Sequence, residues 1–116
     1  MEKTSTNLSF DDFLKVDIRV GTVTDAKAFE KARNPAYQLW IDFGPELGTK
    51  KTSAQITDLY SIDELPGKQV LAVVNFPPKQ IANFMSECLV LGAVDKKGAV
   101  TLLGLHGEAE NGLRVS

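Results

Sequence analysis

Three groups of side chains in this 116-residue chain have types and spacings suited to molecular recognition. The first is Asn75-Phe76-Pro77-Pro78-Lys79-Gln80, a loop that offers amides, an aromatic ring and an ammonium. Its two prolines lower the entropy of the free loop, so polar groups are held in place before a ligand arrives. The second is Lys51, Ser53 and Gln55, which alternate and therefore share one face of a strand. Lysine attracts phosphate, while serine and glutamine present neutral donors and acceptors that reach bases or peptide groups. The third is Ser86-Glu87 with Leu89, where a carboxylate repels phosphate but accepts from base edges or peptide amides. Arg33, just before the Asn34-Pro35 turn, adds a cation. Simpler roles stand beside these: a solvated strand face for Lys51, Ser53 and Gln55, and backbone satisfaction for Asn75. No nucleophile is paired with a base, and a single Cys88 and a single His106 leave neither a disulfide nor a zinc set. The chemistry expected is binding, without cofactor or metal.

The elements that must position these groups are mostly short strands. Val16, Ile18 and Val20 alternate with Asp17 and Arg19, a half-buried strand interrupted by Gly21, where a bulge or strong bend is expected. Residues 26–36 form a polar connection ending in Asn34-Pro35. Tyr37, Leu39, Ile41 and Phe43 alternate with Gln38, Trp40 and Asp42 in the clearest strand of the chain. Trp40 on that outer side is either covered by a loop or tail or free to stack on a base or, with Phe76 and Phe84, to form an apolar surface. After a loop marked by Gly44-Pro45 and Gly48, Thr52, Ala54 and Ile56 alternate with Lys51, Ser53 and Gln55. Residues 58–65 read as a short helix or turn closed by Pro66-Gly67. The apolar runs Val70–Val74 and Cys88–Ala93 read as two buried strands, followed by a turn at Asp95–Gly98 and a strand over Val100–Leu103. Ser9 or Asp11 caps a helical turn near Phe13, leaving residues 1–9 as a tail.

Five or six short strands with one small helix between the third and fourth predict an all-β, five-stranded Greek-key barrel of the OB type in a single domain. An SH3-like barrel is the structural alternative. Composition is that of an ordinary globular protein, 43% apolar and 24% charged. No apolar run approaches the roughly 20 residues of a membrane span, and the start of the chain lacks the apolar stretch of a signal peptide. These features predict a cytoplasmic protein with no membrane insertion. The net charge of −2 argues against a strongly basic nucleic-acid domain, so any such role must rest on a local patch.

The ordered segments Asp17-Ile18-Arg19-Val20-Gly21, Ile41-Asp42-Phe43-Gly44, Ser53-Ala54-Gln55-Ile56-Thr57, Val73-Val74-Asn75-Phe76-Pro77-Pro78 and Leu89-Val90-Leu91-Gly92 resemble the tRNA-binding domain family. That family includes the C-terminal extension of bacterial methionyl-tRNA synthetases and small free-standing, export-related chaperones. The paired prolines and the Ser-Ala-Gln-Ile segment are most similar to the chaperones. The resemblance implies a two-fold homodimer, and Leu102, Leu103, Leu105, Leu113 and Val115 are more apolar surface than one small barrel buries. It implies two partners, unfolded or presecretory polypeptide and tRNA. It also implies that Ser86 and Leu89 occupy tRNA-contacting positions. Gln38, Gln80 and Ala82 stand where the family commonly carries basic residues, and Asn83 where it carries glycine. With Arg33, Lys50, Lys51 and Lys79 remaining as principal cations, and Lys15 and Arg19 as secondary ones, tRNA binding is expected to be weak to moderate and salt-sensitive.

Overall fold

The computed structural model describes residues 6–116. A short helix α1 (Phe10–Leu14) is capped by Ser9, whose Oγ accepts from Asp12 N at 3.0 Å. It leads into β1 (Ile18–Ala28), β2 (Tyr37–Asp42), a one-turn helix α2 (Gly44–Leu47) and β3 (Thr49–Ala54). A 3-10 turn (Ile62–Glu64) precedes β4 (Gln69–Val73), then β5 (Lys79–Ile81) and β6 (Phe84–Ser86) form a hairpin. The chain closes with β7 (Leu89–Val90), β8 (Gly92–Val94) and β9 (Val100–Leu102). Residues 1–5 of the tail expected over 1–9 lie outside the described residues.

The main sheet runs β3-β2-β1-β4-β7, antiparallel throughout. β1 serves two neighbours because it is long and bent: residues 18–22 pair with β4 and residues 22–28 with β2. The register shifts between Val23 and Asp25, so Thr24 is the extra residue of a bulge. The bulge lets both Val23 and Ala26 face the core three positions apart. That break in period two is why residues 26–28 read as connection in the sequence. Gly21 has a different duty from the bulge expected there: a Cβ on it would stand 2.5 Å from Ile41 Cγ2. Its bare backbone lets β1 cross close over Ile41 and Phe43.

β7 returns beside β3 and nearly closes the sheet into a barrel of the OB type. The interior holds Val23, Leu39, Ile41, Phe43, Leu65, Val70 and Ala72, all deeply buried. The C-terminal segment covers the free edge of β1, with Val20 N donating to Leu113 O and Val115 N to Ile18 O. Asp17 anchors it, bonding Arg19 at 2.6 Å and lying 3.8 Å from Arg114. The Gln69 side chain adds a further tie, its Nε2 donating to Ala109 O and its Oε1 accepting from Ala109 N.

Three further expectations change. Val16 belongs to the bend before β1 and is exposed, not part of the inward face. Residues 88–93 are not one buried strand: the chain pairs with β4 for two residues, then leaves it to form the β8–β9 hairpin. Cys88 is buried there, but Leu89 is 48% and Val94 68% exposed, because their outer side faces a cleft rather than the core. Phe84, grouped with Phe76 as ligand-facing surface, is only 6% exposed and packs inward on Phe29 and Trp40. Among the described residues no helix is long and apolar enough to cross a membrane.

Candidate ligand-binding cleft

The barrel seam is where the site begins. Along the outer edge of β3, alternate residues turn their backbone groups toward the end of β6 and Glu87 that follows it. Lys51 N donates to Glu87 Oε1 at 3.0 Å, and Lys51 O accepts from Glu87 N at 2.8 Å. Two residues on, Ser53 N donates to Ser86 Oγ at 3.2 Å. Ser86 Oγ lies 2.9 Å from Thr52 Oγ1, and Thr52 Oγ1 donates to Cys88 O at 2.6 Å. One proton arrangement satisfies the whole run, from Ser53 N–H through Ser86 and Thr52 to the Cys88 carbonyl. The seam is thus held mainly by side chains in place of a backbone ladder. Thr52 is the one buried polar residue among the described residues, and this run explains its burial. Burial pushes the Cys88 thiol up to about 12, against a smaller opposing pull from Lys50.

Beyond Ser53 the seam opens. The gap is a cleft of about 650 Å³ whose walls include Ser53, Gln55 and Ile56 from the β3 side and Leu89, Val90 and Leu91 opposite. Its rim is made by two loops: Arg33 and Asn34 from the β1–β2 connection, and Lys79 and Ile81 from the β5–β6 hairpin. A second cleft of about 240 Å³ adjoins it, sharing Lys79, Ser86, Cys88 and Leu89 and adding Phe76 and Pro77. No carboxylate lines either cleft among the described residues, so Arg33 and Lys79 set a positive field over an aliphatic floor.

The two rim loops are tied together behind the cleft. Phe29 and Ala36 flank the β1–β2 loop, and Phe84 comes from the hairpin; the three form a buried cluster outside the barrel. The ring centroids of Phe29 and Phe84 are 5.4 Å apart, and Trp40 meets Phe84 edge-on at 6.0 Å. Lys51 Nζ sits 5.0 Å from the Phe84 centroid and Lys27 Nζ 5.3 Å from that of Trp40. Trp40 is therefore covered on one side by the hairpin and on another by a lysine.

Six of the eleven residues singled out by sequence line the large cleft: Arg33, Ser53, Gln55, Lys79, Ser86 and Leu89. Phe76 lines the smaller one. Lys51 lies outside on the β2–β3 face, over Phe84. Glu87 latches the seam. Asn75 clamps the start of β1, accepting from Asp17 N at 3.1 Å and donating to Lys15 O at 2.8 Å. Gln80 bonds within its hairpin, to Ala82 O. Arg19, a secondary cation in the sequence, is spoken for by Asp17 and by Gly112 O; the Asp17 hydrogen bond raises its already high pKa. The residues that sequence reasoning missed are Ile56, Ile81, Val90, Val94 and Val100, the aliphatic part of the cleft. Val90, Val94 and Val100 sit in or beside apolar runs that read as core, Ile56 reads as the inward side of an alternating strand, and Ile81 is a lone aliphatic in a polar stretch; nothing local distinguishes a cleft floor from an interior.

A five-stranded OB barrel with the β1–β2 loop and the β5–β6 hairpin arched over an open seam defines the OB class of domain. The chain belongs to the putative tRNA binding domain family, whose sequence profile matches residues 18–114. Chaperone CsaA from Bacillus anthracis is 53% identical, with a TM-score of 0.90 over 96% of this chain and 100% of that one. CsaA from Picrophilus torridus is 51% identical, with a TM-score of 0.88 over 95% of this chain and 100% of that one. Methionine–tRNA ligase of Porphyromonas gingivalis is 36% identical over 109 residues, 94% of this chain. The chain spans only 16% of that ligase. The likeness to this family read from the five sequence segments therefore holds.

Proposed function

We propose that this chain is a non-catalytic, CsaA-like chaperone of the cytoplasm that binds unfolded or presecretory polypeptide in the cleft and tRNA more weakly over the same rim. The observation that carries the reading is the character of the cleft: an aliphatic floor and a rim with two cations. An apolar floor gives an extended polypeptide somewhere to bury side chains. A tRNA gains from Arg33 and Lys79, with Lys51 nearby, but that is a short basic track. Likeness to two CsaA chaperones, and membership of the putative tRNA binding domain family, support the two halves of the reading. A dedicated tRNA module is the second reading, favoured by that family description alone.

The working form we propose is a homodimer. Helix α1 buries none of its own residues, and Phe10 stands 69% exposed beside the exposed Leu8, Leu14 and Val16. Leu113, also exposed, lies in the tail segment whose Arg114 bonds Leu14 O. Together these make an apolar face whose natural cover is the same face of a second copy.

The test is fluorescence anisotropy of a labelled, unfolded presecretory peptide, titrated at low salt and then challenged with tRNA. Overlapping use of the rim predicts that excess tRNA raises the apparent peptide Kd in proportion to its occupancy. A peptide affinity untouched by saturating tRNA would separate the two sites. Absence of any peptide binding would leave only the tRNA reading.

A further inference from the structure

We propose that the cleft takes its polypeptide as an added β-strand, docked on the open edge of the β3 strand line at Gln55. This rests on the polypeptide reading above and specifies its chemistry.

The edge positions of β3 form a series. Both backbone groups of Lys51 are taken by Glu87, and the N–H of Ser53 by Ser86. The next position with the same orientation is Gln55. Neither its N–H nor its C=O has a hydrogen-bond partner among the described residues. Gln55 is exposed and lies in the wall of the large cleft. The seam therefore ends one step before an unpaired backbone donor and acceptor, one residue past the end of β3 in the cleft wall. An extended chain placed there continues the pairing that residues 86–87 begin.

The surroundings select the occupant. Side chains of a strand alternate between two sides. One set would meet Ile56 and Val90 on the floor, and the other would face Arg33 and Lys79 at the rim. With no carboxylate in the lining, the rim complements a negative group and offers nothing to a positive one. The fitting segment is extended and alternating, aliphatic toward the floor and polar or acidic toward the rim. A folded helix satisfies its own backbone and gains nothing from Gln55. Backbone pairing at one position with a sequence-tolerant apolar floor also suits a binder of many unfolded chains.

The test uses the full-length protein and a short fluorescein-labelled peptide of alternating valine and threonine with glutamate at one end. Single N-methyl groups are placed along the peptide in turn, each deleting one backbone donor. Strand addition predicts a period-two effect. Methylation at the residue facing Gln55 weakens binding about tenfold, while methylation at its two neighbours leaves Kd within about twofold. On the protein side, Gln55→Ala trims the cleft wall but keeps the backbone donor and should lose no more than about threefold; Gln55→Pro removes the donor and should lose about tenfold beyond that. Circular dichroism checks that the proline variant is folded, and the methyl scan stands independently if it is not. A flat methyl scan, or a loss in Gln55→Ala equal to that in Gln55→Pro, overturns strand addition while leaving peptide binding in place. No binding of any peptide, methylated or not, would instead strike the polypeptide reading itself.

Discussion

Replacing Phe84 by alanine removes the ring that joins the hairpin to the β1–β2 loop. In a fully enclosed core a Phe→Ala change costs about 3–5 kcal/mol, because the cavity collapses only in part. Phe84 is nearly as buried as that, but its cluster has only three buried members, with Ala32, Trp40 and Ile81 half-covered around it. One side of the ring faces the Lys51 ammonium in place of packed carbon. The lower end of the range applies, about 3 kcal/mol, including the two aromatic contacts at 5.4 and 6.0 Å. For a chain of this size that corresponds to a fall in Tm of about 10 °C. Trp40 is the one tryptophan of the chain, so its emission reports the same site without ambiguity. Its spectrum should move to the red as the hairpin lifts away, and peptide affinity should fall because Lys79 and Arg33 lose their common anchor. Thermal melts followed in parallel by circular dichroism and Trp40 emission measure both effects. If the variant melts within about 2 °C of the parent with unchanged Trp40 emission, the cluster is not what couples the two rims. A red shift well below the main transition would show the hairpin undocking by itself.

Thr52→Val, nearly the same shape, strips the hydroxyl that bonds the Cys88 carbonyl and should cost about 2 kcal/mol, read by denaturant unfolding; Thr52→Ser should recover part of it. The Cys88 thiol, with its pKa pushed up from 9.0 to about 12, should resist a thiol-specific disulfide reagent at pH 8 until denaturant is added. A group whose pKa is raised by folding contributes stability that is complete below its unfolded value and fades as pH climbs toward the folded one. The parent should therefore lose more stability than Cys88→Ala between pH 9 and 12, and equal losses would refute that assignment. If Arg33, Lys50, Lys51 and Lys79 all reach phosphate, log K for tRNA should fall with log salt at a slope of about −3 to −4, and Lys79→Ala should reduce it by about one. Light scattering at micromolar concentration should return a dimeric mass, and Phe10→Ser with Leu14→Ser should lower it toward the monomer.

The alternating strands β2 and β3, the apolar β4 and the turn residues between them were legible from the sequence because each answers to local rules. Period two puts Leu39 and Ile41 inward and Lys51 and Ser53 outward whatever the rest of the chain does. That Arg33, Gln55 and Lys79 lie at the surface was legible for the same reason, since none of them has a use in a core. What they do was decided by tertiary structure. Glu87, Asn75 and Arg19 look like ligand-binding groups in the sequence, yet each is consumed by a partner 36, 58 or 93 residues away. Phe84 and Leu89 are both apolar and lie five residues apart, but one is buried and the other lines an open wall. That difference depends on where β7 leaves β4 and how far the β3 seam closes, and both are set by pairings between distant strands. Local sequence fixes which face a residue takes on its own strand; only the closure of the barrel decides whether that face meets core, seam or solvent.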